Sequence, residues 1–170
     1  AEAGQSLATT TLKQAIEKIT ARAFQLARSA KVNHKQLDVV LIHLDALCKK
    51  LKNTAELCVE MVLMGGGGTG KTFVLNNVTR RLEREVWGDD AEIGAAFSNA
   101  AAKILGHAVT VHALTSQKAT SNFKNLEDKD LDEKFETTWA KIKSLTVDEI
   151  SLLAAKYYNG LIQSIYIGAT

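Results

Sequence analysis

Gly65-Gly66-Gly67-Gly68-Thr69-Gly70-Lys71-Thr72 follows directly on the apolar run Leu57-Cys58-Val59-Glu60-Met61-Val62-Leu63-Met64. The octapeptide fits G-x-x-x-x-G-K-[ST], a loop at the end of a strand that holds the phosphates of a nucleoside triphosphate. Glycines let successive backbone N–H groups converge on an anion, and the N-terminal end of a following helix adds positive potential. In that arrangement Lys71 reaches the β- and γ-phosphates while the Thr72 hydroxyl ligates Mg²⁺. The plainer alternative is a glycine-rich turn with a stray lysine. A strand before the loop and a helix over Phe73 to Val86 favour the phosphate reading.

A phosphate loop alone hydrolyses nothing. Mg²⁺ also needs a carboxylate, and the attacking water needs a group that orients or deprotonates it. Lys143-Ser144-Leu145-Thr146-Val147-Asp148-Glu149 offers both at the end of an alternating run. Asp148 is the candidate for the metal shell and Glu149 for the water. An Asp-Glu pair also commonly begins a helix or turn. Its position downstream of Lys71, with strand and helix units between, selects the catalytic alternative.

The elements that must position these groups follow from periodicity. Leu12, Ile16, Ile19, Ala23 and Leu26 recur at helical spacing and predict a helix over Thr11 to Ala30. Leu37, Val40, Leu41, Leu44, Leu47, Cys48 and Leu51 predict a second, with Asn33 as its N-cap. Trp87-Gly88-Asp89-Asp90 reads as a turn, Ala91 to Phe97 as a short buried strand, and Asn99 to Leu105 as a helix ending at Gly106. Val109 to His112 reads as extended, 116–136 as a polar surface loop, and Ile142 to Val147 as a strand. Ser151 is placed to cap a last helix through about Ile165. The alternation of strands and helices predicts one α/β unit.

Composition sets few limits. A chain of 170 residues with 46% hydrophobic and 24% charged residues suits a soluble globular domain. A net charge of +2 argues neither for nor against nucleic acid. No apolar stretch approaches the ~20 residues of a membrane-spanning helix, and no secretory signal is visible. The two cysteines make no metal-binding pattern; Cys48 reads as a small buried hydrophobe, in keeping with a reduced, intracellular compartment. Proline is absent, where about eight would be usual. The first residue is not methionine, so the start reads as a cut or processed end.

Taken in order, MGGGGTGKTFVLNNVTRRL, NAAAKILGHAVTVHAL and LTVDEISLL resemble the first three motifs of the superfamily 1B DNA helicases. The resemblance is to the petite-integration-frequency helicases and their helitron relatives. VNHKQLDVV resembles that family's glutamine motif, in which a glutamine reads the adenine edge. The resemblance spans about residues 32–165 and implies a P-loop NTPase (RecA-like) three-layer α/β fold with a mainly parallel sheet. Residues 1–31 then form an N-terminal helical extension and 32–170 a partial ATPase lobe.

Residue by residue, the resemblance assigns adenine recognition to Gln36 and phosphate binding to Gly65, Gly66, Gly67, Gly68, Thr69, Gly70, Lys71 and Thr72. It gives the metal to Thr72 and Asp148, and the water to Glu149. His112 matches a position near the track of single-stranded DNA, although a histidine ending a short strand is more often a local hydrogen-bonding group. Ser98 and Asn99 stand where the family has a Thr-Gly pair on the DNA backbone, and both can contact phosphate. Lys103 is a candidate backbone cation; a solvated lysine is the common alternative. An exposed helix-start residue is the alternative for Gln36.

What the resemblance implies is an ATP-dependent 5′-to-3′ DNA helicase of the repair, recombination or telomere-maintenance type, with Mg²⁺, ATP and single-stranded DNA as partners. The compartment would be nucleus or mitochondrion in a eukaryote, cytoplasm otherwise. The family's engine also needs a second RecA-like lobe and its arginine, which the sequence does not reach, so the chain is expected to be incomplete and nearly inactive alone. In the family, the strand after the Asp-Glu strand inserts between it and the phosphate-loop strand, and here that position is expected to stay open unless Tyr166-Ile167 or an N-terminal piece fills it. The other reading is a stand-alone nucleotide-binding interaction module that borrows an arginine from another chain.

Overall fold

The computed structural model describes residues 2–52, 61–115, 139–152, 158–159 and 161–162. The chain falls into two compact units, Ala1–Leu82 and Glu83–Thr170.

The first unit is helical around the glycine loop. Helix α1 runs Glu2–Ser29, one end earlier than the apolar spacing predicts. No proline or turn sequence precedes Thr11, so nothing stops the helix upstream. It ends where Lys31 adopts a left-handed φ of 53°. There Val32 N donates to Ala27 O at 3.2 Å and Lys31 N to Arg28 O at 3.1 Å, closing the last carbonyls. Helix α2 runs His34–Leu51 from the predicted N-cap, Asn33. Ala23, Leu26 and Ala27 of α1 are buried, as are Val40, Leu44 and Leu47 of α2. Cys48 is half-buried rather than inside the core.

After the loop, α3 (Lys71–Val74) passes through a π-helical turn (Leu75–Thr79) into α4 (Arg80–Trp87). The sequence predicts an unbroken α-helix here. Side chains that bond back to the helix account for the difference: Asn77 Nδ2 donates to Phe73 O at 2.8 Å and Thr79 Oγ1 to Leu75 O at 3.3 Å. Val74, Val78 and Leu82 are fully buried. α1 packs against both α2 and the π-helical turn, which seats the loop's helix.

The second unit carries the sheet. Strand β1 (Glu92–Ala96) leads to α5 (Asn99–Leu105), β2 (Ala108–Thr110), α6 (Val111–Leu114) and β3 (Ser144–Asp148). All pairings are parallel, in the order β2-β1-β3. Ala95 and Ala96 point to opposite faces of β1 and are both fully buried. Ala95 packs with Val111, Leu114, Trp139 and Leu161; Ala96 packs with Ala101 and Ala102 of α5. Arg84 Nη1 donates at 3.1 Å to Glu92, whose side chain is wholly buried.

The α/β, P-loop class with a parallel sheet is therefore the observed one. Beside β3, opposite β1, no further strand pairs among the described residues. Three expectations need correction. Of the strand expected over Leu57 to Met64, 57–60 lie outside the described residues, and Met61 to Met64 join no ladder. Val111 and His112 begin a helix rather than extend β2, because the Thr110 hydroxyl caps it by accepting from Ala113 N at 3.2 Å. Ser151 lies inside a 3-10 turn (Ile150–Leu152), not at a helix cap. The predicted 116–136 loop falls outside the described residues.

Candidate nucleotide-binding site

Two left-handed glycines shape the loop, Gly68 at φ 73° and Gly70 at φ 81°. Three side-chain donors then pin its carbonyls. Thr69 Oγ1 donates to Gly66 O at 2.9 Å. Lys71 Nζ donates to Gly65 O at 2.7 Å and Gly66 O at 3.0 Å. Gln36 Nε2 reaches Thr69 O at 3.4 Å. An ammonium has three hydrogens, so Lys71 keeps one for an anion while two hold the loop. Thr72 sits half-buried in the first turn of α3, beside Lys71.

Gln36 belongs to the same unit and meets the loop directly. It occupies the third position of α2 and forms a capping box with Asn33. Gln36 N donates to Asn33 Oδ1 at 3.0 Å, and Asn33 N donates to Gln36 Oε1 at 3.1 Å. A Cβ placed on Gly70 would lie 2.5 Å from Gln36 Nε2, so glycine there admits the glutamine as well as the positive φ.

In the second unit, Ala96 pairs in register with Thr110 on one side and Asp148 on the other. The carboxyl ends of the three strands, where ligands of parallel sheets commonly sit, thus bring together the Ser98, His112 and Asp148 neighbourhoods. Asp148 Oδ1 accepts from Glu149 N at 2.9 Å. Glu149 itself is exposed and takes φ 56°, an uncommon conformation for a non-glycine that recurs at functional sites. Ser98 spends its hydroxyl on the α5 cap, accepting from Ala101 N at 3.1 Å. Asn99 and Lys103 are exposed on α5. His112 stacks obliquely on Phe97, ring centres 5.8 Å apart, a partnership the sequence reading missed. Phe97 follows β1 directly, which was the available signal.

Among the described residues, no three His, Cys, Asp or Glu side chains gather into a metal cage. Mg²⁺ needs none, since it keeps several waters and binds through one or two carboxylates and substrate phosphates. Thr72 in the first unit and Asp148 in the second each carry a hard oxygen donor of the kind Mg²⁺ prefers.

A family model for the AAA domain matches residues 45–168. The chain belongs to that family. As an AAA domain it is an ATP-binding, helicase-like P-loop NTPase domain. No curated protein and no solved structure matches it. The AAA match takes in the glycine loop and the Asp148-Glu149 pair but begins inside α2, after Asn33 and Gln36. No helix among the described residues of this AAA domain is long and apolar enough to cross a membrane.

Proposed function

We propose that the chain is the nucleotide-binding lobe, residues 32–170, of an ATP-dependent 5′-to-3′ DNA helicase related to the petite-integration-frequency and helitron helicases. Residues 1–31 extend it. The observation that carries the nucleotide part is the pinned loop, in which Lys71, Thr69 and Gln36 all bind carbonyls and leave backbone N–H groups to an anion. The helicase part rests on the AAA membership together with the order of the motifs in the sequence.

In this reading Lys71 holds the β- and γ-phosphate oxygens, its third hydrogen on one and a hydrogen released by a loop carbonyl on the other, and the Thr72 hydroxyl and the Asp148 carboxylate are metal ligands. When bound, Mg²⁺ neutralises charge on those oxygens. Glu149 orients the attacking water and accepts its proton. Ser98, Asn99, Lys103 and His112 face single-stranded DNA, with Lys103 and the polar pair on its phosphates. An arginine from a second RecA-like lobe stabilises the leaving phosphate; such a residue is worth about 10³–10⁵ in rate in related systems. The chain alone therefore binds ATP and turns it over very slowly.

A thermal unfolding series with MgATP tests the reading. A ligand at about 100 times its Kd stabilises the folded state by about 2.7 kcal/mol. The wild-type midpoint rises with MgATP and that of Lys71→Ala does not. An unchanged midpoint for the wild type under saturating MgATP refutes nucleotide binding; robust DNA unwinding by the purified chain refutes the need for a second lobe.

A further inference from the structure

We infer that the solvent-facing half of α1 is a docking surface for a single DNA strand, with Lys13, Lys18 and Arg28 on its phosphates and Phe24 stacked on a base. The choice of DNA rests on the helicase reading above. The surface itself belongs to the N-terminal extension and shares no residue with the DNA contacts given there.

Positive charge is placed unevenly along this chain. Residues 11–35 hold six Lys and Arg against one acid, Glu17, while the whole chain carries a net charge of only +2. At about 100° per residue, every exposed residue from Thr11 to Ser29 falls within one arc of about 160°. Lys13, Lys18 and Arg28 lie in that arc, and among the described residues none of the three makes an ion pair. From Lys13 to Arg28 the arc runs about 22 Å along the helix axis. Past the helix end, Lys31 and Lys35 are exposed as well.

Phe24 is the one aromatic residue of this stretch. It is 46% exposed, while Ala23 and Leu26 beside it turn inward and are buried. Helical spacing sets Phe24 within about 40° of Lys13, Glu17 and Arg28. Proteins that hold single strands without reading sequence combine cations that track the phosphates with aromatic faces on which bases stack. Both parts stand here on one rigid helix. A lipid surface is the other polyanion that a basic helix meets, but such a helix lies in the bilayer by its apolar side. That side of α1 carries Ala23, Leu26 and Ala27, already buried, and α1 packs on α2.

Fluorescence anisotropy of the whole chain tests the surface, without nucleotide and between about 50 and 200 mM salt. The probes are labelled oligo(dT) of about 16 nucleotides and a duplex of the same length. The wild type should bind oligo(dT) more tightly than the duplex. Lys13→Gln, Lys18→Gln and Arg28→Gln together should weaken binding and make log K shallower against log salt by about 2, at about 0.7 per phosphate contact. Phe24→Ala should weaken binding about 5- to 100-fold with the salt slope unchanged, and Phe24→Tyr should restore it. Glu17→Gln removes the acid from the arc and should tighten binding about twofold. All five side chains are exposed, and far-UV circular dichroism checks that each variant is folded. No oligo(dT) binding by the wild type, a preference for the duplex, or an unchanged Kd in the triple or the Phe24→Ala variant overturns the inference. If only Lys103→Gln weakens binding, strand contact belongs to α5, which overturns the α1 surface and leaves the helicase reading standing. An unchanged wild-type midpoint under saturating MgATP overturns the nucleotide reading instead, whatever α1 binds.

Discussion

Gly70→Ala probes how α2 and the loop are joined. Gly70 sits at φ 81° and ψ 25°, the left-handed helical region. An alanine there costs about 1–2 kcal/mol in backbone strain. Its Cβ would stand 2.5 Å from Gln36 Nε2, so the amide must also swing away. Doing so breaks the contact with Thr69 O and the reciprocal half of the capping box, two exposed bonds worth together about 1 kcal/mol. The single substitution should therefore destabilise the helical unit by about 2–3 kcal/mol. Gln36→Ala gives up the same two bonds without strain, about 1 kcal/mol.

The double variant discriminates. Once Gln36 is truncated, the new Cβ displaces nothing, and only backbone strain is added. The sum of the singles should exceed the double by about 1 kcal/mol, well outside the ~0.3–0.5 kcal/mol within which independent sites add. Urea unfolding followed by far-UV circular dichroism measures all four corners. Gly67→Ala, with open space around its Cβ, serves as a control near zero. Additivity of Gly70→Ala and Gln36→Ala would refute the reasoning, because it would mean the glutamine does not rest on the loop.

Other outcomes follow from single positions. Lys31 ends α1 in a left-handed conformation that glycine adopts without strain, so Lys31→Gly should stabilise the chain by about 1 kcal/mol in urea unfolding, a gain absent if α1 ends otherwise. Burial pushes the Cys48 thiol above its ordinary value of 9.0, with Asp45 adding to the rise and Lys52 opposing it. Peptide-mapped iodoacetamide labelling of native protein should then reach half its maximal rate above pH 9.0. Between the unfolded and folded values the native state binds more protons, so this thiol lowers stability as pH climbs past 9.0.

The parts legible in the sequence are those fixed by local chemistry. Asn33 and Gln36 stand three apart before an apolar stripe, and the capping box forms as that spacing requires. Gly106 ends α5 where a glycine after helical periodicity should. The glycine loop opens the helix the pattern called for, and the Asp148-Glu149 pair lies at the end of the strand it called for. The misreadings came where two local rules competed. Val109-Thr110-Val111 is a β-branched run and reads as strand, yet the hydroxyl of Thr110 captures Ala113 N and starts a helix. Lys31 and Glu149 take left-handed φ values that no lysine or glutamate announces. The π-helical turn depends on where Asn77 and Thr79 send their side chains. The contact of Gln36 with the loop was equally hidden, since it joins residues far apart in the chain.

The loop's bonding also explains how a site made of glycines can be ordered before any ligand arrives. A peptide unit is planar and trans, so the N–H of one residue points opposite to the C=O of the residue before it. Pinning the carbonyls of Gly65 and Gly66 with Lys71, and that of Thr69 with Gln36, therefore aims the N–H groups of Gly66, Gly67 and Gly70 the other way. Glycine supplies the conformations and loses the most entropy in adopting them. Lys71, Thr69 and Gln36 hold the loop in place before binding, which lowers the ordering cost that a flexible loop would charge against affinity. Gln36 is the one member of this set that reaches the loop from another helix. Through it, the cap of α2 and the orientation of the anion-facing amides become a single structural unit.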